Sequence, residues 1–386
     1  MDRMRVLMSA LPSLGHVNPC LAVATALRDA GHEVRLATAP GFAPHVRAAG
    51  FPQVNLGFDL PRPGDALTPR LAQRLHSLLI DSFGFWVDDL REQVDEWSPD
   101  VLVHDWSEVA GVAVGAKLGI PSAVLGNALR PPMTHVAQSR CWLGVDFDEI
   151  GGPAHAFGDL LLNLYPPSFA WPDDPRLPHE HYLRPPRYDG ATTTSPPEWL
   201  DRLDGAPLVY LTMGTYYARL PRVMERLVAG AADVAANVVV TVGTARDPAD
   251  LGPLPRNVRV EQYVPQSMLI PRCAAVVCQG GLNAMVTALS HGVPVGCLPV
   301  TWGEPLGFNA AERCTQLGAG LIYPVGDEAA RGAALFGDLD SDRIHAMIET
   351  LLTDGEYRGA AARIGTEIRT LPEIDDAVGL IEKLAD

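Results

Sequence analysis

Lysine is almost missing from this 386-residue sequence, and acidic side chains outnumber basic ones. Only Lys117 and Lys383 occur, so arginine supplies nearly all of the 30 basic side chains, against 46 acidic ones and a net charge of −16. Residues 1–195 hold 22 acidic and 15 basic side chains, and residues 196–386 hold 24 and 15. A nucleic-acid backbone is bound by clustered Lys and Arg, so nucleic acid is excluded as an expected partner.

Cysteine and long apolar runs are equally scarce. The six cysteines show neither Cys-x-x-Cys nor a paired Cys/His spacing, which argues against a zinc site. No run approaches the roughly 20 apolar residues that cross a bilayer, so we expect no membrane partner and a cytoplasmic protein. The glycine-rich turns match neither Gly-x-Gly-x-x-Gly nor the P-loop, which removes the main support for a dinucleotide oxidoreductase or a P-loop ATPase.

What the sequence does contain is a repeated strand–helix–strand order. A strand over residues 5–9, a helix over about 19–30 and a strand over 33–38 form a βαβ unit, which builds parallel sheets. After an irregular, proline-rich stretch at 129–203, the same order restarts with a strand at 208–212. We therefore predict an α/β fold of two doubly wound, Rossmann-like parallel sheets whose strand carboxyl ends face a central cleft.

The length and the irregular stretch together predict two domains. The first covers residues 1–195 and the second residues 205–386, with a linker at about 185–204. A terminal helix over about 374–385 belongs to the second domain or packs back on the first.

The segment Ser13–Pro19, between the first strand and the first helix, places His16 at a helix N-terminus. The helix dipole there disfavours the protonated ring, which suits a general base near neutral pH. Asp105 ends the strand that starts at Pro99, and the carboxyl ends of parallel strands lie together, so its carboxylate can orient the His16 ring. Two plainer interpretations stay open: His16 as a surface or capping histidine, and Asp105 as the cap of a helix starting at Ser107.

A second candidate is the turn Gln279–Asn283, which leads from a strand into a helix. Gly280 and Gly281 leave backbone N–H groups bare at the helix N-terminus, an arrangement that fits an anion such as pyrophosphate. Gly214-Thr215, at the end of another strand, offers a further small loop for a phosphate. Paired glycines also occur in ordinary tight turns, so this feature alone does not decide between a ligand site and a turn.

In their order and spacing, several short motifs resemble the GT-B glycosyltransferases, in particular the actinobacterial natural-product (antibiotic) transferases that use nucleotide-diphosphate sugars. The motifs extend over nearly the whole chain and are Gly15–Pro19, Ala30–Val34, Pro99–Asp105, Pro196–Leu200, Val209–Thr215, Tyr263–Gln266 and Gly280–Pro294.

This resemblance implies a role for each loop. His16 is the general base toward a small-molecule aglycone, Asp105 orients it, and transfer proceeds with inversion, without a metal or other cofactor and with the nucleotide sugar as co-substrate. Trp142 and Phe147 shape the acceptor pocket. The oligomeric state, a homodimer included, stays open. The donor-binding positions that the resemblance implies are Thr215, Val264, Gln266, Gln279, Gly280, Gly281, Asn283 and Glu304.

The donor loop also departs from the pattern that it resembles. Members of this class usually carry a His before the paired glycines, a Ser or Thr three residues after them and a Glu three residues further, where this chain has Gln279, Ala284 and Thr287. The usual Asp-Gln pair is also missing downstream, where Glu304 is the substitute. Two alternatives to an ordinary transferase therefore stay open: a non-catalytic auxiliary or binding protein of the same fold, and an enzyme with an atypical donor.

Overall fold

A computed structural model describes residues 3–57, 83–133, 136, 141–142, 145–186, 195–220, 222–243, 246–298, 306–323 and 339–385. These residues divide into two compact units. Unit 1 contains the described residues up to 186 together with the C-terminal segment 370–385, and unit 2 contains those from 195 to 369.

The described part of unit 1 contains a seven-stranded parallel sheet in the order β3-β2-β1-β4-β5-β8-β9, and a two-stranded antiparallel pair, β6-β7. The strands are β1 (Arg5–Ser9), β2 (Glu33–Thr38), β3 (Gln53–Asn55), β4 (Val101–Asp105), β5 (Ser122–Gly126), β6 (Cys141–Trp142), β7 (Val145–Asp146), β8 (Leu160–Asn163) and β9 (Glu180–Tyr182). Its helices include α1 (Leu14–Asp29), α2 (Ala43–Ala48), α3 (Phe83–Trp97), α4 (Ala110–Leu118) and α5 (Phe147–Ile150).

The described part of unit 2 contains a six-stranded parallel sheet in the order β12-β11-β10-β13-β14-β15. The strands are β10 (Leu208–Thr212), β11 (Asn237–Thr241), β12 (Val258–Glu261), β13 (Ala275–Cys278), β14 (Val295–Cys297) and β15 (Gly320–Ile322). The helices include α6 (Gly214–Tyr217), α7 (Val223–Gly230), α8 (Gln266–Leu269), α9 (Leu282–Ser290), α10 (Leu306–Gln316), α11 (Ser341–Thr353) and α12 (Gly355–Thr370).

Helices cover both faces of the unit 1 sheet, which explains why the central strands β1 and β4 carry consecutive apolar residues, Val6–Met8 and Val101–Val103. On one face, Leu21 of α1 packs in a core that also takes in Ala377 and Ile381 of α13 (Asp376–Ala385), the last helix of the chain. On the other face, Leu90 of α3 and Val114 of α4 belong to a second core. The last helix is therefore part of unit 1, although most of the chain between residues 195 and 369 forms unit 2.

Three elements differ from the sequence predictions. Helix α1 begins at Leu14 and contains Pro19, so the predicted loop is the first turn of the helix. The sequence after β10 also predicts a helix over 222–236, but helix α7 stops at Gly230. Asp233 beyond it has a left-handed φ of 60°, which does not continue an α-helix. The irregular stretch at 129–203 contributes β8 and β9 to the sheet, strands too short for their pattern to stand out.

Candidate active site

The strand order of unit 1 reverses between β1 and β4. Chain connections leave such a point in opposite directions, and the crevice beyond the strand carboxyl ends is where open α/β sheets bind their ligands. His16 follows β1 in the first turn of α1, and Asp105 is the last residue of β4. The topology therefore brings together two side chains that are 89 positions apart in the sequence.

His16 Nδ1 lies 2.9 Å from Asp105 Oδ1. The Asp105 side chain is fully buried, whereas 27 % of the His16 side chain is exposed. An ionised carboxylate only accepts hydrogen bonds, so His16 Nδ1 carries the proton that it donates to Asp105. The other ring nitrogen, Nε2, then has the lone pair that a general base needs.

Backbone donors hold the Asp105 carboxylate in place. Leu11 N donates to Oδ2 at 2.6 Å, and Ser107 N donates to Oδ1 at 2.8 Å. Burial alone raises the pKa of Asp105, but the charge and hydrogen bond of His16 and these two N–H donors outweigh it, so the pKa lies below its ordinary value. Asp105 thus remains ionised near neutral pH. Its hydrogen bond from Ser107 N stabilises the turn after β4. Helix α4 starts only at Ala110, however, so Asp105 is not a helix N-cap.

The prediction that the helix N-terminus leaves His16 with a lowered pKa is wrong. Burial lowers the pKa of His16 most strongly, but the charge of Asp105 and its hydrogen bond together raise that pKa above the ordinary value. Asp105 therefore does more than orient the ring: it stabilises the imidazolium that forms when His16 takes up a proton.

Asn127, one residue after β5, is a member of this site that the sequence did not point to. Pro19 has no N–H to donate to the Gly15 carbonyl one helical turn earlier. Asn127 Nδ2 donates to that carbonyl instead, at 3.3 Å, and lies 3.4 Å from His16 Nδ1. Asn127 Oδ1 is buried, and in the described part of the chain it has no hydrogen-bond partner.

In unit 2 the strand order reverses between β10 and β13, and the loops that follow these two strands meet. Gly280 has a φ of 89° and Gly214 a φ of 62°, a left-handed conformation that residues with a Cβ rarely adopt. Gly281 is the N-cap of α9, whose first N–H groups have no partner within the helix. This arrangement is what an anion-binding turn requires.

The Gln279 side chain packs against the glycines of both loops. A Cβ placed on Gly214 would lie 2.7 Å from Gln279 Nε2, and one placed on Gly281 would lie 2.6 Å from it, so a side chain at either position would displace this amide. Gln279 Oε1 is buried and has no hydrogen-bond partner among the described residues. Nearby, Ala284 is buried without a hydroxyl, and Thr287 Oγ1 donates to the Asn283 carbonyl at 2.7 Å within α9.

Two further predicted residues lie at the start of α8: Val264 just before it and Gln266 as its first residue. The Val264 side chain is buried, so that only its backbone can contact a ligand. The Gln266 side chain shares a hydrogen bond with the buried Tyr210 hydroxyl, which also bonds Thr241 Oγ1 at 2.8 Å. Tyr263, the first residue of the Tyr263–Gln266 motif, is 52 % exposed, although it was not among the predicted site residues.

The structure describes the remaining predicted residues to different extents. Phe147 is buried at the start of α5, as a core residue would be. Thr215 lies in α6 and Trp142 in β6, but their side chains are outside what the structure describes, as is Glu304 altogether. Within the described ranges, no group of three His, Cys, Asp or Glu side chains is placed to hold a metal ion. Over the same ranges, every helix is too short or too polar to cross a membrane.

Comparison with known proteins decides the class. Residues 6–91 match the glycosyltransferase family 28 N-terminal domain, and residues 225–384 match the erythromycin biosynthesis protein CIII-like C-terminal domain. The L-demethylnoviosyl transferase of Streptomyces niveus is 30% identical to this chain over 94% of each protein. The chain belongs to the glycosyltransferases of natural-product biosynthesis.

Solved structures of these glycosyltransferases have the same GT-B fold as the chain. The glycosyltransferase VinC in complex with dTDP is 25% identical, with a TM-score of 0.76 and 99% of each chain covered. The spinosyn rhamnosyltransferase SpnG, complexed with spinosyn aglycone, is 25% identical, with a TM-score of 0.77, 98% of this chain and 100% of that chain covered. The enzyme class and the fold that the sequence motifs indicated are thereby confirmed.

Proposed function

We propose that this glycosyltransferase moves a sugar of the deoxysugar class from a dTDP- or UDP-linked donor to a small natural-product aglycone, with inversion and without a metal ion. The substrate classes are supported by the two related structures, one in complex with dTDP and the other with spinosyn aglycone. The observation that carries the chemistry is the 2.9 Å contact between His16 Nδ1 and the buried carboxylate of Asp105.

The His16–Asp105 pair is suited to accept a proton. As the acceptor oxygen bonds to the anomeric carbon, its proton passes to Nε2 of His16. The bond from that carbon to the diphosphate oxygen breaks, and the nucleoside diphosphate leaves with the electron pair. One displacement of this kind inverts the anomeric centre. Asp105 stabilises the resulting imidazolium, as the raised pKa of His16 indicates.

The donor loop supplies what the leaving group requires. The diphosphate gains negative charge as the bond breaks, and the backbone N–H groups of Gly280, Gly281 and the first turn of α9 would favour that charge. Gln279 adds a neutral amide donor in place of a charged side chain. Val264 would contribute its backbone, and Gln266 its side chain, to the nucleoside.

Two measurements test this proposal separately. In calorimetric titrations of the full chain we expect dTDP or UDP to bind, and binding of neither at millimolar concentration would contradict the donor class. His16→Ala should lower kcat by about 10³-fold or more while nucleotide affinity stays unchanged. His181→Ala is the matched control, because His181 is an exposed histidine on β9 of the same unit, and its activity should equal that of the wild type.

A second candidate function, a non-catalytic auxiliary protein, is favoured by the altered donor loop, in which Gln279 Oε1 has no partner among the described residues and Ala284 is buried without a hydroxyl. The double substitution Gln279→His and Ala284→Thr discriminates. If the donor site has lost its function, the wild type should show no transfer. The double variant should then bind the nucleotide more than tenfold more tightly than the wild type. If the site serves an atypical donor, affinity should fall or remain the same, and transfer from the native donor should weaken.

A further inference from the structure

A second carboxylate lies buried behind the catalytic pair, in the turn between β4 and α4. Glu108 is only 1 % exposed. Ala110 N donates to its Oε1 at 2.9 Å and Gly111 N to its Oε2 at 3.3 Å, while the Ser9 hydroxyl also donates to Oε2. One carboxylate thus connects the end of β1, where Ser9 lies, to the first turn of α4.

These contacts reach Asp105 along two routes. Glu108 N donates to the Asp105 carbonyl at 2.9 Å, which closes the turn that carries the Asp105 side chain. Ser9, held by Glu108, is two residues before Leu11, whose N–H donates to Asp105 Oδ2. A residue that only capped α4 would need its bonds to Ala110 and Gly111, but not a hydroxyl from β1.

The negative charges of Glu108 and Asp105 also interact. Burial raises its pKa most, the three donors lower it and the Asp105 charge raises it again, giving a value of about 7. Ionisable groups near it include Cys20 of α1, whose pKa is raised by burial and then by the two carboxylates, and His104 of β4, whose pKa burial lowers. Glu108 therefore changes its charge in the pH range in which a base such as His16 operates.

We propose that Glu108 is a positioning residue for the His16–Asp105 pair: it fixes the turn that presents Asp105 and places a second negative charge behind it, which makes His16 a stronger base. This inference rests on the proposed function, in which His16 is the base.

The sharpest test is the titration of the His16 ring, followed by NMR on the full chain labelled at histidine, with the His16→Ala spectrum to assign the signal. In Glu108→Gln, which keeps the size of the side chain, the pKa of His16 should fall by about half a unit or more, because a nearby negative charge has been removed. Glu180→Gln is the matched control: Glu180 is also buried in unit 1, but on β9, three strands from β4, so its replacement should leave the pKa of His16 unchanged.

Kinetics provide a second readout. The rising limb of the pH profile of kcat/KM for the acceptor should move to lower pH in Glu108→Gln, whereas KM for the nucleotide sugar should stay the same. Ser9→Ala offers a variant that keeps the carboxylate if Glu108→Gln fails to fold. It should shift the His16 titration in the same direction by a smaller amount, because the lost hydroxyl makes Glu108 harder to ionise.

A folded Glu108→Gln protein in which His16 titrates as in the wild type would overturn the inference, as would an equal shift in Glu180→Gln. The failure of the proposed function has a different signature. If His16→Ala retains full transfer, His16 is not the base, whatever its ring pKa does in the Glu108 variants.

Discussion

In unit 1, the strand-order reversal between β1 and β4 holds ionisable side chains: His16, Asp105 and Glu108, two of them fully enclosed. In unit 2, the corresponding reversal between β10 and β13 holds glycine backbone and the neutral amide of Gln279. The first arrangement can store and release a proton, and the second can attract an anion without titrating. Identical topology thus provides two kinds of chemistry, and the choice between them rests on a few residues directly after the strands.

The net charge of −16 reflects how few positive side chains the sequence offers for binding an anion. Because Gln279 is neutral, we expect anion binding at the proposed donor loop to depend on backbone N–H groups and on the dipole of α9, both of which are insensitive to pH. Any pH dependence of transfer should therefore originate in unit 1. Substitutions in each unit can test whether proton transfer depends on unit 1 and anion binding on unit 2.

The largest effect is expected for Asp105→Asn. An amide keeps the shape but removes the charge that stabilises the His16 imidazolium, so kcat should fall by about 10³- to 10⁴-fold, as for the equivalent change in a serine protease triad. Nucleotide affinity, measured by calorimetry, should not change. A parallel loss of nucleotide binding would contradict the separation of the two sites.

The same variant checks the direction of the His16 shift. Asp105 raises the pKa of His16, so the stabilisation from their ion pair is complete below the ordinary pKa of about 6.5 and is lost as the pH rises through the higher folded value. Thermal unfolding of the wild type and of Asp105→Asn at pH 6 and pH 9 should show the larger difference at pH 6. An equal difference at both pH values would show that the ion pair adds no stability.

An intermediate effect is expected for Gly214→Ala in unit 2. The added methyl group would meet Gln279 Nε2 and displace it, so nucleotide affinity should fall about tenfold or more. Gly119→Ala is a matched control, because Gly119 at the end of α4 is left-handed with a φ of 68° but has nothing within 4 Å of the added Cβ. Both variants should lose about 1 kcal/mol of stability from backbone strain, but only Gly214→Ala should bind nucleotide more weakly.

The smallest effect is expected for Asn127→Ala. This change leaves the Gly15 carbonyl without its side-chain donor and removes the amide beside His16, a loss of about 1 kcal/mol or a fivefold decrease in kcat. Asn257→Ala in unit 2 is the control, since Asn257 Nδ2 also serves backbone carbonyls, among them that of Ala231. The control should lower the melting temperature without changing kcat at saturating substrates.

Most of the fold and half of the site could be predicted from the sequence. The strands β1, β2 and β10 and helix α9 follow from apolar runs bounded by glycine, and His16 with Asp105 follows from the rule that parallel strands end together. Glu108 was missed because an acidic residue in a turn resembles a solvated one, and only the packing of β1 against β4 reveals that it is buried. Asn127 was missed because its role depends on the hydrogen bond that Pro19 cannot make.

The C-terminal helix α13 bears on how hybrid enzymes should be assembled. Ala377 and Ile381 are fully enclosed in the core of unit 1, and the His32 ring meets the Glu382 carboxylate at 3.0 Å. A chimera that takes unit 2 from a relative by replacing everything after residue 195 would therefore also replace part of the interior of unit 1. Exchanging residues 195–369 as an internal cassette, with the native tail retained, keeps that interior complete.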